Sequence, residues 1–205
     1  MIKNLLFPKL KCPVCREFSE GICTPCSLKF IKVDYKFINK EKLKGVSLYK
    51  DEGSALKLVN NFKVKASFNS LDEIVWRIIL ANEDFIKQFD FIAYPPSLKS
   101  SMNKSGIDHT YELARSVSRK VSVPLIKALF KRSKKDQKNL DKFERNERAK
   151  NIKINSKIDI KRYKNRSILI IDDIYITGST IQRCIDILEE KEIKVGYLTF
   201  IKAEI

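Results

Sequence analysis

"ILIIDDIYITGST", residues 168–180, runs four aliphatic residues into two adjacent aspartates and, four positions after the second, opens a Thr-Gly-Ser-Thr turn. The aliphatic run predicts a buried strand that delivers Asp172 and Asp173 to its carboxyl end, where ligands collect in parallel sheets. A helix is expected to begin near Ser179 or Thr180. Its free N–H groups and positive dipole end attract a phosphate. Gly178 lets the backbone come close without a Cβ in the way, and the hydroxyls of Thr177, Ser179 and Thr180 add donors. The carboxylates would be repelled by that phosphate, so they should accept hydrogen bonds from hydroxyls a few ångströms off, or hold a cation. A phosphate at one end and vicinal hydroxyls at the other describe a sugar phosphate, and the stretch reads as a ribose 5-phosphate cradle.

Outward from this stretch, β and α patterns alternate, which implies βαβ units and a parallel sheet. "FIKVDYKFIN" reads as a strand. Leu56, Val59 and Phe62 mark an amphipathic helix, and Ile74, Ile78 and Phe85 mark the next one, in which Trp76 is read as a packing residue. "FDFIAY" (89–94) is a buried strand stopped by Pro95 and Pro96. A helix follows with Leu113, Val117 and Val121 on one face, and "VPLIKALF" restarts a strand. After the cradle, Ile181, Cys184, Ile185 and Leu188 form the inward stripe of a helix, and "KVGYLTFIK" is another strand. His109, the single histidine, is a candidate proton shuttle.

Four of the five cysteines fall within fifteen residues: Cys12 and Cys15 in "CPVC", Cys23 and Cys26 in "CTPC". Two C-x2-C turns can complete the tetrahedral thiolate set that Zn²⁺ prefers, and four thiolates leave no open position, so the expected role is structural. Disulfides would need an oxidising compartment. The first residues hold too short an apolar run for a signal peptide, and no stretch approaches the roughly 20 apolar residues of a membrane span. A cytoplasmic location is expected, without membrane association. The chain of 205 residues suits one α/β core plus an appendage: a zinc ribbon over 1–38 and a second domain over 39–205.

The net charge is +16, which points to a polyanionic partner. Lysine-rich coding composition gives the same total, so clustering carries the argument. Between Lys127 and Arg166 stand sixteen Lys or Arg against five acids, with no Gly or Pro. This basic hood, about 127–166, reads as a helical or flexible excursion, either a solvated face or an electrostatic groove for phosphates. Lys131, Arg132, Lys134, Lys135, Arg145 and Arg148 are its candidate nucleic-acid contacts, with Phe130, Phe143 and Tyr163 interleaved as stacking or core aromatics.

The thirteen residues of the opening stretch resemble the phosphoribosyl pyrophosphate (PRPP) motif of type I phosphoribosyltransferases. The resemblance implies that Asp172 and Asp173 hold the ribose 2′ and 3′ hydroxyls, that Thr177, Gly178, Ser179 and Thr180 hold the 5′-phosphate, and that Mg²⁺ accompanies PRPP in active members. With the cysteine knuckle in front, nearly the whole chain is similar to the ComF family, competence-associated proteins that join a zinc ribbon to a phosphoribosyltransferase-like domain. "YPPSLKSSMNKSGIDHTYELA", Gln137 with Leu140, and Arg148 with Asn151 add to it. The fold implied is α/β, a type I phosphoribosyltransferase-like parallel sheet flanked by helices, with a small N-terminal zinc module. The function implied is binding of PRPP and single-stranded DNA during natural transformation, beside a helicase or recombination protein. The alternative is an active phosphoribosyltransferase on an unidentified acceptor. Ser105, Gly106, Ile107 and Asp108 stand where the family has Arg-Gly-Phe-Asn, and three extra residues separate Leu140 from Arg148. Both departures weigh against turnover.

Overall fold

The structure, a computed structural model, describes residues 11–39, 42–97, 106–131 and 151–203. The main sheet is built from β1 (Lys32–Asn39), β2 (Lys42–Lys50), β3 (Phe91–Ala93), β6 (Ser167–Tyr175) and β7 (Lys194–Lys202), in the order β1-β2-β7-β6-β3. β2, β7, β6 and β3 run parallel, and β1 adds an antiparallel edge. β1 runs across residue 38 and pairs with the main sheet. A separate antiparallel pair joins β4 (Leu129–Lys131) to β5 (Ile152–Ile154).

Side chains alternate between the faces of a strand, and β6 feeds two cores. Leu169 and Ile171 pack with Leu198 and Phe200 under α2 (Gly53–Lys65), α3 (Phe68–Ile86) and α4 (His109–Val121). Ile168 and Ile170 face the other way, with Val195, Tyr197 and α5 (Ser179–Glu189). A central parallel strand buried on both sides reads as an unbroken aliphatic run, as "ILII" does. The helices start where small polar caps stand. Ser67 accepts from the Ser70 N–H ahead of α3, and Asp108 from the Tyr111 N–H ahead of α4. α2 and α4 end at Ala66 and Ser122, both in the left-handed region.

Every residue named for the expected apolar stripes of α2, α3, α4 and α5 is buried except Leu56, which is half-buried. Four expectations are refined by the structure. The strand expected over 123–130 contracts to β4, in the second sheet, while Leu125 makes a single bridge beside Ile92, whose N–H donates to the Pro124 carbonyl. The basic excursion reads as helical or flexible in sequence; its described residues hold β4, β5 and a 3-10 helix at Ile160–Tyr163, and 132–150 lie outside the described residues. Trp76 is 54% exposed and lines a groove with Lys11, Asp72 and Glu73, so it is a surface residue. β3 is shorter than expected, and Asp90 caps the start of β6 instead, accepting from the Ser167 N–H and hydroxyl, each at 2.8 Å. Arg132, Lys134, Lys135, Gln137, Leu140, Phe143, Arg145, Arg148 and Ser105 lie outside the described residues.

The cysteine module, with the short helix α1 (Thr24–Ser27), docks on α2 and α3. Asn61 Nδ2 donates to the Pro13 carbonyl at 2.8 Å, and the buried Ser54 hydroxyl to the Cys26 carbonyl at 2.7 Å. Val14, Ile22 and Phe30 pack against the main core, and the Arg77 guanidinium lies 3.8 Å from the Phe30 ring centroid. No helix among the described residues is long and apolar enough to cross a membrane.

Phe62, fully buried beneath α2, is a keystone of the first core. Phe62→Ala is expected to lower unfolding stability by about 3–5 kcal/mol, measured by urea titration. A loss below roughly 1 kcal/mol would contradict the packing described.

Candidate functional site

β6 ends in the two aspartates, and its alternation sends them apart. Asp172 continues the row of Ile168 and Ile170 toward α5, and Asp173 the row of Leu169 and Ile171 toward α2 and α4. Asp172 is half-buried and lines a cavity of about 190 Å³, together with Lys131, Tyr175 and Thr177 to Thr180. Asp173 is 4% exposed and is absent from that lining. The structure thus brings Asp172, Thr177, Gly178, Ser179 and Thr180 to one cavity and leaves Asp173 out of its lining, paired with Lys63.

The turn is shaped for close approach. Gly178 has φ 72° and caps α5 without a side-chain hydrogen bond, so the first turn of the helix opens on the cavity. A Cβ at this position would run into the Tyr175 hydroxyl, whose ring stacks on Tyr197. The hydroxyls of Thr177 and Ser179 lie 2.9 Å apart and rim the mouth. Lys131, expected on a nucleic-acid track, stands at this cavity and adds a cation to its lining. Sequence reasoning grouped it with the basic run because spacing cannot show that β4 ends beside β6.

Asp172 Oδ1 accepts from the Asp173 N–H at 2.9 Å. Burial first, and the neighbouring Asp173 carboxylate second, push the Asp172 carboxyl up to about 7. On the other face, Lys63 Nζ donates to Asp173 Oδ1 at 2.8 Å. Nothing in "NNFKVK" distinguishes Lys63 from a solvated lysine, and sequence reasoning missed it. His109 packs edge-on against Phe62, with ring centroids 5.0 Å apart, and burial pulls it below the ordinary histidine range in spite of the Asp173 charge. It is therefore neutral at pH 7.

The four cysteine sulfurs lie within 4.8 Å of one another, and those of Cys15 and Cys23 are 3.6 Å apart. Tetrahedral zinc with bonds of ~2.3 Å sets sulfurs about 3.8 Å apart, so the cluster could hold a metal ion such as zinc. Burial raises the Cys12 thiol, but hydrogen bonds from the backbone at Cys15, Cys23 and Val14 outweigh it and bring the group down to about 6. Burial and the adjoining thiols push Cys26 up to about 12. A cation among the sulfurs would relieve that crowding of like groups.

Residues 109–204 match the family model described as "Phosphoribosyl transferase domain". Over these residues the chain is similar to a phosphoribosyltransferase domain. The match opens at the first residue of α4 and takes in β6, the cradle, α5 and β7. The domain is similar in structure to an adenine phosphoribosyltransferase at 13% identity, covering 68% of this chain and 73% of that one, with a TM-score of 0.46. The Saccharomyces cerevisiae adenine phosphoribosyltransferase, solved with adenine and an imino-altritol bisphosphate, is 12% identical over 87% of this chain and 86% of its own, with a TM-score of 0.47. An orotate phosphoribosyltransferase from Aeropyrum pernix is 12% identical over 68% and 63%, with a TM-score of 0.42. Among curated protein sequences no match is found.

Two outcomes test this geometry. Purified chain should carry about one equivalent of zinc, and Cys12→Ser with Cys15→Ser should release it and lower the melting temperature; a metal-free, fully stable parent contradicts the cluster's role. Because folding raises the Asp172 carboxyl to about 7, ionising it costs stability. That cost is absent below the ordinary carboxylate value, grows as the pH rises and is complete above the folded value. Asp172→Asn is expected to be more stable than the parent by on the order of 2 kcal/mol near pH 8, the gain shrinking as the pH falls and vanishing below the ordinary value. Identical melting near pH 8 would refute the shift.

Proposed function

We propose that the phosphoribosyltransferase-like domain binds PRPP or ribose 5-phosphate in the cavity at the end of β6. The single observation that supports this most is the cavity's lining: one carboxylate, Asp172, together with the hydroxyl-rich start of α5 and Lys131. In this reading Thr177, Gly178, Ser179 and Thr180 take the 5′-phosphate, while Asp172 takes the ribose hydroxyls. The hard oxygen donors of this set suit Mg²⁺, which would neutralise the pyrophosphate of PRPP when bound.

A ComF-like role follows from the same reading, in which the chain handles internalised single-stranded DNA in the cytoplasm during natural transformation, with a helicase or recombination protein as its partner. Zinc in the cysteine module is structural in this account. Exposed Lys153, Lys157 and Lys161 favour contact with a phosphate backbone, with Lys131, Arg132, Lys134, Lys135, Arg145 and Arg148 as further contacts. Arg162, Lys164 and Arg166 each pair with an acid and are less available. Tyr163 packs edge-on against Phe91 and serves the core rather than base stacking.

The second reading is transfer to an acceptor. The acceptor's nucleophilic atom would bond to ribose C1 as the C1–O bond to pyrophosphate breaks, the electron pair leaving with pyrophosphate and the acceptor's proton passing to a base. The family match over the cradle favours it.

Calorimetry with ribose 5-phosphate and with PRPP plus Mg²⁺ is expected to show uptake that Asp172→Asn with Asp173→Asn weakens by more than ten-fold; absence of uptake by the metal-loaded parent refutes the proposal. Binding of a labelled oligonucleotide should fall steeply with salt and survive the double substitution. Pyrophosphate release from PRPP that the double substitution abolishes would decide for transfer.

A further inference from the structure

On α3, Asp72, Trp76, Ile79 and Glu83 follow one another at four- and three-residue spacing and so share one face of the helix. Together with Lys11 and Pro13 of the cysteine module they line a groove of about 680 Å³. Trp76 is more than half exposed there and Ile79 is partly so. Large apolar side chains gathered in a groove with a charged rim mark a contact surface.

The course of the chain says what the contact is. Lys11 is held in an antiparallel bridge with Phe18 and lines the groove itself. Residues 1–10, "MIKNLLFPKL", join the chain at that point and lie outside the described residues. They carry Ile2, Leu5, Leu6, Phe7 and Leu10, with Lys3 and Lys9 and no acid. Against its cations Lys11 and Lys120 the groove sets Asp72, Glu73 and Glu83. Glu73 and Glu83 pair with Arg77 and Lys87, while Asp72 has no ion pair among the described residues. The reach is sufficient: the row from Asp72 to Glu83 spans about 16 Å of helix, and ten extended residues cover up to about 33 Å. A segment attached at the groove also acts at an effective concentration in the millimolar range, which a separate molecule rarely matches.

We propose that the groove between α3 and the cysteine module is the docking site of the chain's own residues 1–10, their apolar side chains against Trp76 and Ile79 and their lysines toward the acidic row of α3. The docked segment covers the indole and straps the cysteine module to the helix. It also closes this face of α3 to other proteins.

Trypsin cuts after lysine, and Lys3 and Lys9 place sites inside the segment. On the full-length, metal-loaded chain, cleavage at these two sites, followed by mass spectrometry, is expected to be slow. Leu5→Ser with Phe7→Ser in the segment, and Trp76→Glu in the groove, should each speed it by ten-fold or more, since each removes buried apolar contact. Trp76→Glu leaves the segment's own sequence untouched, so its effect reports release alone. Combining the two sets should add little to either, because both free the same segment. Where Trp76→Glu fails to fold, Asp72→Lys carries the comparison: it repels the lysines and should give a smaller acceleration that shrinks with added salt. Cleavage of the parent as fast as that of the Leu5 and Phe7 variant overturns the proposal. Protection that grows with protein concentration also overturns it, by assigning the groove to a second copy of the chain.

Discussion

A strand buried on both faces cannot end in two charges unless each finds its own surroundings, and this constraint organises the molecule around Asp172 and Asp173. Period-two alternation sends one carboxyl into each layer of the sheet. On the α5 side Asp172 meets a cavity edged by hydroxyls and Lys131. On the other side Asp173 meets an ammonium delivered by α2. Moving the pair by one residue would exchange their fates, which is why the aliphatic run before them must keep its register with β7 and β3.

The same logic of borrowed support applies at the other end of the chain. Four cysteines and a four-residue helix enclose almost no apolar volume. The module therefore leans on α2 and α3 through backbone carbonyls at Pro13 and Cys26, and contributes Val14, Ile22 and Phe30 to a core it does not own. Gly53, at φ 59°, allows the approach, since a side chain there would strike the Lys29 carbonyl. Ribbon and sheet are joined by β1, the antiparallel edge, as well as by this docking.

Much of this was legible in the residues. "ILII" reads as a buried strand, the glycine and hydroxyls as a polar turn, and the expected stripe of α5 holds every buried position of that helix but Ile187. What stayed hidden came from long-range geometry. Lys63 and Asp173 are 110 positions apart, and no local pattern announces their pairing. Lys131 looked like one more basic residue until β4 set it beside the cradle. Trp76 looked like core because its helix is amphipathic, but it falls on the polar side of the stripe made by Ile74, Val75 and Ile78. The strand expected from Val123 makes one bridge at Leu125, through the Pro124 carbonyl and the Ile126 N–H, and resumes only at Leu129 in another sheet.

That indole is the chain's single tryptophan, set on the outer face of α3 where the cysteine module meets it, with Lys11 and Ser19 across the groove. No α3 residue lines the cradle. Emission excited selectively at the indole, apart from the seven tyrosines of which Tyr175 lines the pocket, is therefore a private optical channel to the cysteine end, sensitive to how that appendage is seated.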